Sequence, residues 1–316
     1  MIKAKNGIST AGRKKLWKRI ADRWQLYLVL LAPIIFTIVF NYVPMAGVLM
    51  AFQKYNIRDG IFGSPWVGLL QFKKFITSPR FGNIIKNTLT LSFYGLLVGY
   101  PITVLFALLL NAMRGTKYKK VIQTVTYLPH FISTVVIVGL VFQVLNYRNG
   151  LWGALYQFFN GTVAPDLLAK GTNFKHIHIW SGIWQNLGFD SILFFAALAG
   201  IDTSLHEAAT IDGANRFQRL KYIDLPGIVP IVSITLILRI GGIMNVGYEK
   251  TLLMQNDLNS SYSEVISTYV YKVGLASGLP DYSYSTAIGL FNSVINFILL
   301  LIANRISRKV SGSGIF

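Results

Sequence analysis

His206, Glu207, Ala208, Ala209 and Thr210 open like the H-E-x-x-H helix of a zinc protease, where two imidazoles one turn apart hold the metal and the glutamate activates water. Thr210 stands where the second imidazole is needed, so the stretch cannot complete that centre. His130, His176 and His178 lack Asp, Glu or Cys partners at ligand spacing, which points to structural or interfacial roles. With no cysteine there is no disulfide framework, thiolate metal site or cysteine nucleophile. No G-x-x-x-x-G-K-S/T stretch occurs, and the dipeptide Gly-Lys is absent, so the phosphate cradle for ATP is missing. The sequence therefore calls for no cofactor in this chain.

What remains is polar chemistry inside apolar runs. Asp190 and Arg239 each interrupt a long apolar stretch, where a charge needs a partner, a water-filled cavity or a bound solute. The two could pair, either as a structural ion pair that fixes a helix bundle or as part of a solute path. Gln185 and Asn186 lie close to Asp190, Asn245 and Tyr248 close to Arg239, and Asn292 and Asn296 fall in the last apolar run. Sugars are held by amides and carboxylates on their hydroxyls and by aromatic faces on their rings, so the inventory suits a carbohydrate, although amides also link membrane helices.

The elements that carry these residues are membrane spans. A chain of 316 residues with 53% hydrophobic and 13% charged residues, at a mean hydropathy of +0.50, does not describe soluble domains. The net charge of +18 would suit nucleic acid only on one continuous basic face. Instead the basic residues cluster between apolar runs, as the positive-inside rule requires, which excludes a nucleic-acid partner and implies a lipid bilayer.

Residues 1–24 are polar and basic, and the apolar run 26–52 is too long for a signal-peptide core and lacks a small-x-small cleavage site, so it reads as an uncleaved first span. Further spans are expected at 88–113, 121–145, 178–201, 226–246 and 283–303. Gly95 and Gly99 have GxxxG spacing ahead of Pro101, which favours internal packing. Pro129 interrupts the third span. Arg114, Lys117, Lys119 and Lys120 crowd a short inner turn. Leu151, Trp152, Leu155, Phe158 and Phe159 suggest an interfacial helix in the second outer connection. Six basic residues in the connection 54–86 run against the charge rule, which long translocated loops tolerate.

The segment 207–230, EAATIDGANRFQRLKYIDLPGIVP, is the polar hinge between the fourth and fifth runs. Ser204 and Glu207 have capping-box spacing, so a short helix starts there and carries Ala208, Ala209 and Ile211. Gly213 ends it. A second short helix then places Phe217 and Leu220 on one face, and the next span begins near Pro226, with Pro230 close to its first turn. Arg216, Arg219 and Lys221 read as ordinary inner-face charges.

At Glu207, Ala208, Ala209, Gly213, Ile223, Leu225 and Pro226 the chain resembles the permease subunits of binding-protein-dependent ABC importers. YVPMAGVLMAFQKYN (42–56), SPWVGLLQF (64–72), TYLPHFIS (126–133) and LILRIGGIMNVGYE (236–249) are similar to the carbohydrate-uptake branch, and within it to the aldouronate or oligosaccharide type. Leu220 departs from the aromatic residue that many members carry. The resemblance implies an all-α polytopic membrane protein with six transmembrane helices, the type I ABC importer permease fold, and a coupling helix between spans four and five.

It divides the chain into a basic cytoplasmic segment (1–25), a first transmembrane helix and outer loop (26–84), an importer core (85–305) and a cytoplasmic tail (306–316). Both termini would be cytoplasmic, in a bacterial cell membrane. The implied partners are cytoplasmic ABC ATPases that bind ATP and Mg, a second homologous permease, an extracytoplasmic substrate-binding protein and a carbohydrate. The implied ATPase-docking residues are Glu207, Ala208, Ala209, Asp212, Gly213, Phe217, Leu220, Leu225 and Pro226. An ATPase-independent secondary transporter or channel is the competing reading, against which stands the lack of a second charged constellation within the spans. A membrane-embedded enzyme lacks a catalytic constellation.

Overall fold

The computed structural model describes residues 22–113, 115–311 and 314. Most of the basic N-terminal segment, Arg114 of the short basic turn after the second expected span and the last residues of the tail lie outside the described residues. Among those described, the regular elements are helices, with one isolated bridge between Gln53 and Trp66. Besides one-turn helices at Gly60–Gly63 and Ser260–Ser263, these are, from the N-terminus, α1 (Trp24–Phe52), the short α2 (Leu70–Ile76) and α3 (Phe81–Ala112). α4 (Thr116–Phe131) and α5 (Thr134–Leu145) meet at 104°, and α6 (Leu151–Asn160) follows. α7 (Gly171–Ala199) and α8 (Thr203–Ile211) meet at 70°. After them come α9 (Arg216–Gly241), the short α10 (Tyr248–Met254) and α11 (Ile266–Tyr271), and α12 (Tyr282–Ser311). α1, α3, α9 and α12 are long and apolar enough to cross a membrane, and the two bent pairs bring the number to six if each is one span.

Proline shapes three of the long helices in the same way. Widened π turns at Ile38–Tyr42, Gly95–Gly99 and Leu220–Asp224 each end two residues before Pro44, Pro101 and Pro226. A proline cannot donate to the carbonyl four residues back and its ring crowds that carbonyl, so the preceding turn opens and the helix continues beyond it. α9 therefore begins at Arg216, so the helix expected to start near Pro226 starts earlier: the proline is absorbed inside a helix already ten residues old. Pro129, by contrast, falls in a tight turn at Leu128–Phe131 where the chain bends outright, and Ser133 caps the helix that restarts after it.

Packing follows the small residues. Gly95 and Gly99 lie against Ile179 and Ile183 of α7. Gly188 is closer still, since a Cβ there would stand 2.4 Å from the Thr126 backbone oxygen of α4. Neither backbone can yield cheaply, so Gly188→Ala is expected to cost about 1–3 kcal/mol or more through overpacking. A marked fall in folded yield and in melting temperature in detergent would register it.

Near the loop that joins α8 to α9, the core gathers Tyr100, Val104 and Leu108 of α3, Phe194 and Leu198 of α7, and Ile228 of α9. A second cluster centres on Phe75 of α2, whose ring lies 5.0 Å from Phe81 and 5.5 Å from Phe291. α1 leaves its apolar side chains exposed from Trp24 to Val43, as a helix solvated by lipid does, and only near its end buries Ala51 and half-buries Leu49, Met50 and Phe52. α6 ends at Gly161 in the left-handed conformation and leaves Phe158 and Phe159 exposed, in keeping with an interfacial helix. Three basic residues of the connections between the long helices find acids there: Lys74 with Asp281 at 2.8 Å, Lys272 with Glu264 at 3.3 Å and Arg80 with Glu264 at 4.0 Å.

Candidate functional site

α8 starts at Asp202, whose carboxylate accepts the Ser204 backbone N–H at 2.9 Å. That bond, from an exposed carboxylate, holds the Asp202 carboxyl below its usual range. The expected Ser204–Glu207 capping box does not form, because Asp202 caps the helix first and Ser204 already lies inside it. Glu207 is thereby left exposed, with no hydrogen bond or ion pair among the described residues.

The helix ends in a Schellman motif. Ala214 donates to the Ala209 carbonyl at 2.8 Å and Gly213 to that of Thr210 at 3.1 Å, with Gly213 at φ +77°. One residue later Asn215 opens α9 with a reciprocal capping box: Gln218 N–H to Asn215 Oδ1 at 2.9 Å and Asn215 N–H to Gln218 Oε1 at 2.7 Å. The two helices are thus joined by a turn in which the chain bonds are satisfied on both sides. Asn215→Ala removes one arm and is expected to cost the local structure about 1 kcal/mol. Faster amide exchange at Arg216, Phe217 and Gln218, with the rest of α9 unchanged, is the reading that checks it.

Two further contacts brace the unit. The Arg219 guanidinium donates to Thr210 Oγ1 at 3.0 Å, bridging α9 to α8, so Arg219 is more than the inner-face charge the sequence suggests. His206 Nε2 stands 3.4 Å from Asp224 Oδ1, an ion-pair distance when the imidazole is protonated, and Asp224 is buried. The outer side of the loop is open. Glu207, Ala208, Asp212, Gly213, Leu225 and Pro226 are exposed, Ala209 is half-buried, and the large apolar side chains of Ile211 and Phe217 are 87% and 78% exposed. Leu220 is the exception: it packs on the Tyr100 and Ile228 cluster, so it does not share Phe217's face as the three-residue spacing suggests. Ile211 was named in sequence only as a helix residue, yet it is the most exposed large apolar group of this loop.

The intramembrane polar residues fall into separate groups. Asp190 of α7 and Arg239 of α9 pair at 2.5 Å, and the Arg239 guanidinium lies 5.5 Å from the Tyr100 ring centre. The Tyr100 hydroxyl donates to the Val232 carbonyl at 2.6 Å, which fixes the ring. Both charges, with Asn186, line a cleft of about 300 Å³ whose wall includes Gly95, Gly99 and Lys250. Asn186 also reaches His130 Nδ1 at 2.9 Å, and that imidazole stacks on Phe189.

Asn245, Asn292 and Asn296 form an amide cluster of their own, at 2.8 Å and 3.2 Å to Asn245 Oδ1. Gln185 is buried and donates to the Ile132 carbonyl at 3.4 Å, and Tyr248 packs on Tyr271. The cleft thus unites Asn186, Asp190 and Arg239, while the other five belong elsewhere. Lys250, which the sequence assigns only to an outer connection, joins the cleft and is 9% exposed. Burial lowers its pKa to about 8.

A family model described as the binding-protein-dependent transport system inner membrane component matches residues 99–312, which take in all of the cleft lining but Gly95, both bent helix pairs and the hinged loop. The chain belongs to this family. Members are membrane components, and hydrolysis of ATP falls to a separate subunit. Among its relatives, the polygalacturonan/rhamnogalacturonan transport system permease protein YteP of Bacillus subtilis is 40% identical over 96% of this chain and 94% of its own length. Protein LplB of the same organism is 40% identical over 98% and 96%.

The permease also resembles the solved structure of a bacterial ABC transporter involved in the import of the acidic polysaccharide alginate. The TM-score is 0.85 at 39% identity, over 94% of this chain and 99% of the other. A bacterial alginate ABC transporter in complex with an alginate pentasaccharide-bound periplasmic protein gives 0.86 at 38%, over 95% and 100%. The likeness therefore spans almost the whole of the permease, including its first helix.

Proposed function

We propose that the chain is the membrane-spanning permease subunit of an ATP-driven importer that translocates an oligosaccharide by alternating access. It works with a second homologous permease, cytoplasmic ATPases that bind ATP and Mg, and an extracytoplasmic protein that delivers the sugar. Six spans, with both termini cytoplasmic, form its multi-pass body, and residues 85–305 are its transport core. The observation that carries this reading is the braced loop, which exposes Ile211 and Phe217 beside Glu207 and Asp212 on a polar surface. Large exposed apolar groups rimmed by charge are the usual mark of a docking surface.

The mechanism follows from what the loop connects. Closure of the ATPases on ATP pushes the docked α8. The Schellman turn, the Asn215 box and the Arg219–Thr210 bond resist bending, so the displacement passes into α9 rather than dissipating in the turn. α7 and α9, the helices on either side of the loop, hold the Asp190–Arg239 pair across the cleft. Their relative movement opens that cleft to one side of the membrane or the other.

Reconstitution tests the reading. Vesicles holding the two permeases and the ATPase, with sugar-loaded binding protein outside, should take up sugar only when ATP is inside, and ionophores should not abolish it. Uptake that needs an ion gradient and no ATP would establish the secondary-transporter reading instead.

A further inference from the structure

We propose that Asp224 is a positioning residue for transport: it ties α8 to α9 through the His206 imidazole, and protonation of that imidazole sets how much of the loop's movement reaches α9. The inference rests on the permease reading above and adds a regulation of the same loop.

The tie is a second connection between the two helices. The first runs along the chain, through the Gly213 turn and the Asn215 box. His206 Nε2 lies 3.4 Å from Asp224 Oδ1, so α8 meets α9 just ahead of Pro226 without passing through that turn. Asp224 closes the widened turn Leu220–Asp224 and is its buried member. Its Oδ1 accepts no hydrogen bond among the described residues. A buried carboxylate oxygen in that state is costly, and a cation facing it offsets the cost.

The charged groups around Asp224 come from three elements: His206 of α8, Arg219 of α9 and Lys119 of α4. Arg219 donates to Thr210 Oγ1 and Lys119 to the Asn111 carbonyl, each at 3.0 Å. Among the described residues, His206 alone reaches ion-pair distance of Asp224. Charge across this contact therefore depends on an imidazole, the side chain that gains and loses its proton between about pH 5 and 8. His206 is half-buried and lines an open hollow of about 460 Å³ with Glu207, Thr210 and Arg219, so protons reach it from solvent on the loop's own side. The sign follows. With the imidazole protonated the pair is charged, and α8 carries Asp224 and the start of the apolar part of α9 with it. With the imidazole neutral the movement passes only through the Gly213 turn and the Arg219–Thr210 bond.

The test is the ratio of sugar taken up to ATP hydrolysed, in vesicles holding the whole complex and supplied with its binding protein. The probe is a mixed pool of neutral and acidic oligosaccharides, counted inside the vesicles by mass spectrometry while the inner pH is set from about 6 to about 8. In wild type the ratio should fall about threefold as the inner pH rises, the size expected for a partly exposed charged pair. His206→Gln should hold the low ratio at every pH, and His206→Arg, which keeps a charge, should hold the high one. Asp224→Asn should be as low and as flat as His206→Gln. Because Asp224 is buried behind the loop, that result places the effect at the α8–α9 contact rather than on the ATPase-facing side. If the Asp224 variant fails to assemble, the two His206 variants decide. A flat wild-type profile, or a slope that persists in His206→Gln, would overturn the proposal and leave the permease reading standing. Uptake by wild type that needs no ATP at any pH would remove both.

Discussion

Gly213→Val is expected to reduce ATP-driven uptake by about an order of magnitude while leaving insertion and complex yield intact. The glycine sits at φ +77°, and a Cβ there would meet nothing within 4 Å, so the variant is not excluded by crowding. It is strained by backbone conformation alone, at roughly 1–2 kcal/mol for an L-residue and more for a β-branched one. That is about a 5–30-fold loss in the population of the native turn. Because Gly213 also supplies one of the two Schellman bonds, relaxing the strain means opening the turn between α8 and α9. The loop would still meet the ATPase, but its push would be lost in a flexible joint, so hydrolysis should continue without matching transport. Gly213→Asn, which tolerates the left-handed region better, should lose much less. Uptake per ATP hydrolysed, measured on the same vesicles, separates uncoupling from poor assembly. Unchanged coupling in the valine variant would remove the mechanical role of this turn.

The second large effect is expected at the Asp190–Arg239 pair. Asp190→Asn leaves the guanidinium without its counter-charge beside the Tyr100 ring, and a broken pair of this kind in a bundle core costs up to about 3–5 kcal/mol. Both side chains retain about a third of their exposure in the isolated chain, so water in the cleft reduces that figure. The informative comparison is the double variant Asp190→Asn with Arg239→Gln, which removes both charges. If the pair only fixes α7 against α9, the double variant recovers the melting temperature and the uptake together. If the pair also takes part in the solute path, stability returns and uptake does not. The account predicts the second outcome, because the pair lines the cleft rather than being sealed in the core.

The spans and the loop were legible because each carries a strong local signal: long apolar runs punctuated by basic clusters, and a polar hinge with its own turn glycine. What escaped was set by tertiary placement. Ser204 has cap spacing to Glu207, but Asp202 lies two residues earlier and wins the helix start. Pro226 reads as a helix start, yet a π turn lets α9 run through it from Arg216. Leu220 shares a nominal face with Phe217, but that widened turn begins at Leu220, which packs into the core. The Asp190–Arg239 pairing was a sequence possibility that the geometry realises. Lys250 had no signal at all, because nothing in its neighbours shows that α10 folds back against α7 through the His178 carbonyl. The amides of Asn245, Asn292 and Asn296 read equally well as sugar ligands or helix links, and the distances assign them to one another.

The central claim is that the exposed side of the α8–α9 loop docks onto an ATPase. The chain has no native cysteine, so a single Ile211→Cys substitution gives one unique attachment point on the most exposed large apolar position of the loop. A short thiol-linked photocrosslinker placed there, in the assembled and transport-competent complex, is the most direct measurement. The account predicts that the dominant adduct on irradiation is with the ATPase subunit, and that the same label at Phe158, on the exposed face of α6, gives none. An Ile211 adduct absent from the ATPase, in a complex that still couples hydrolysis to uptake, would contradict it.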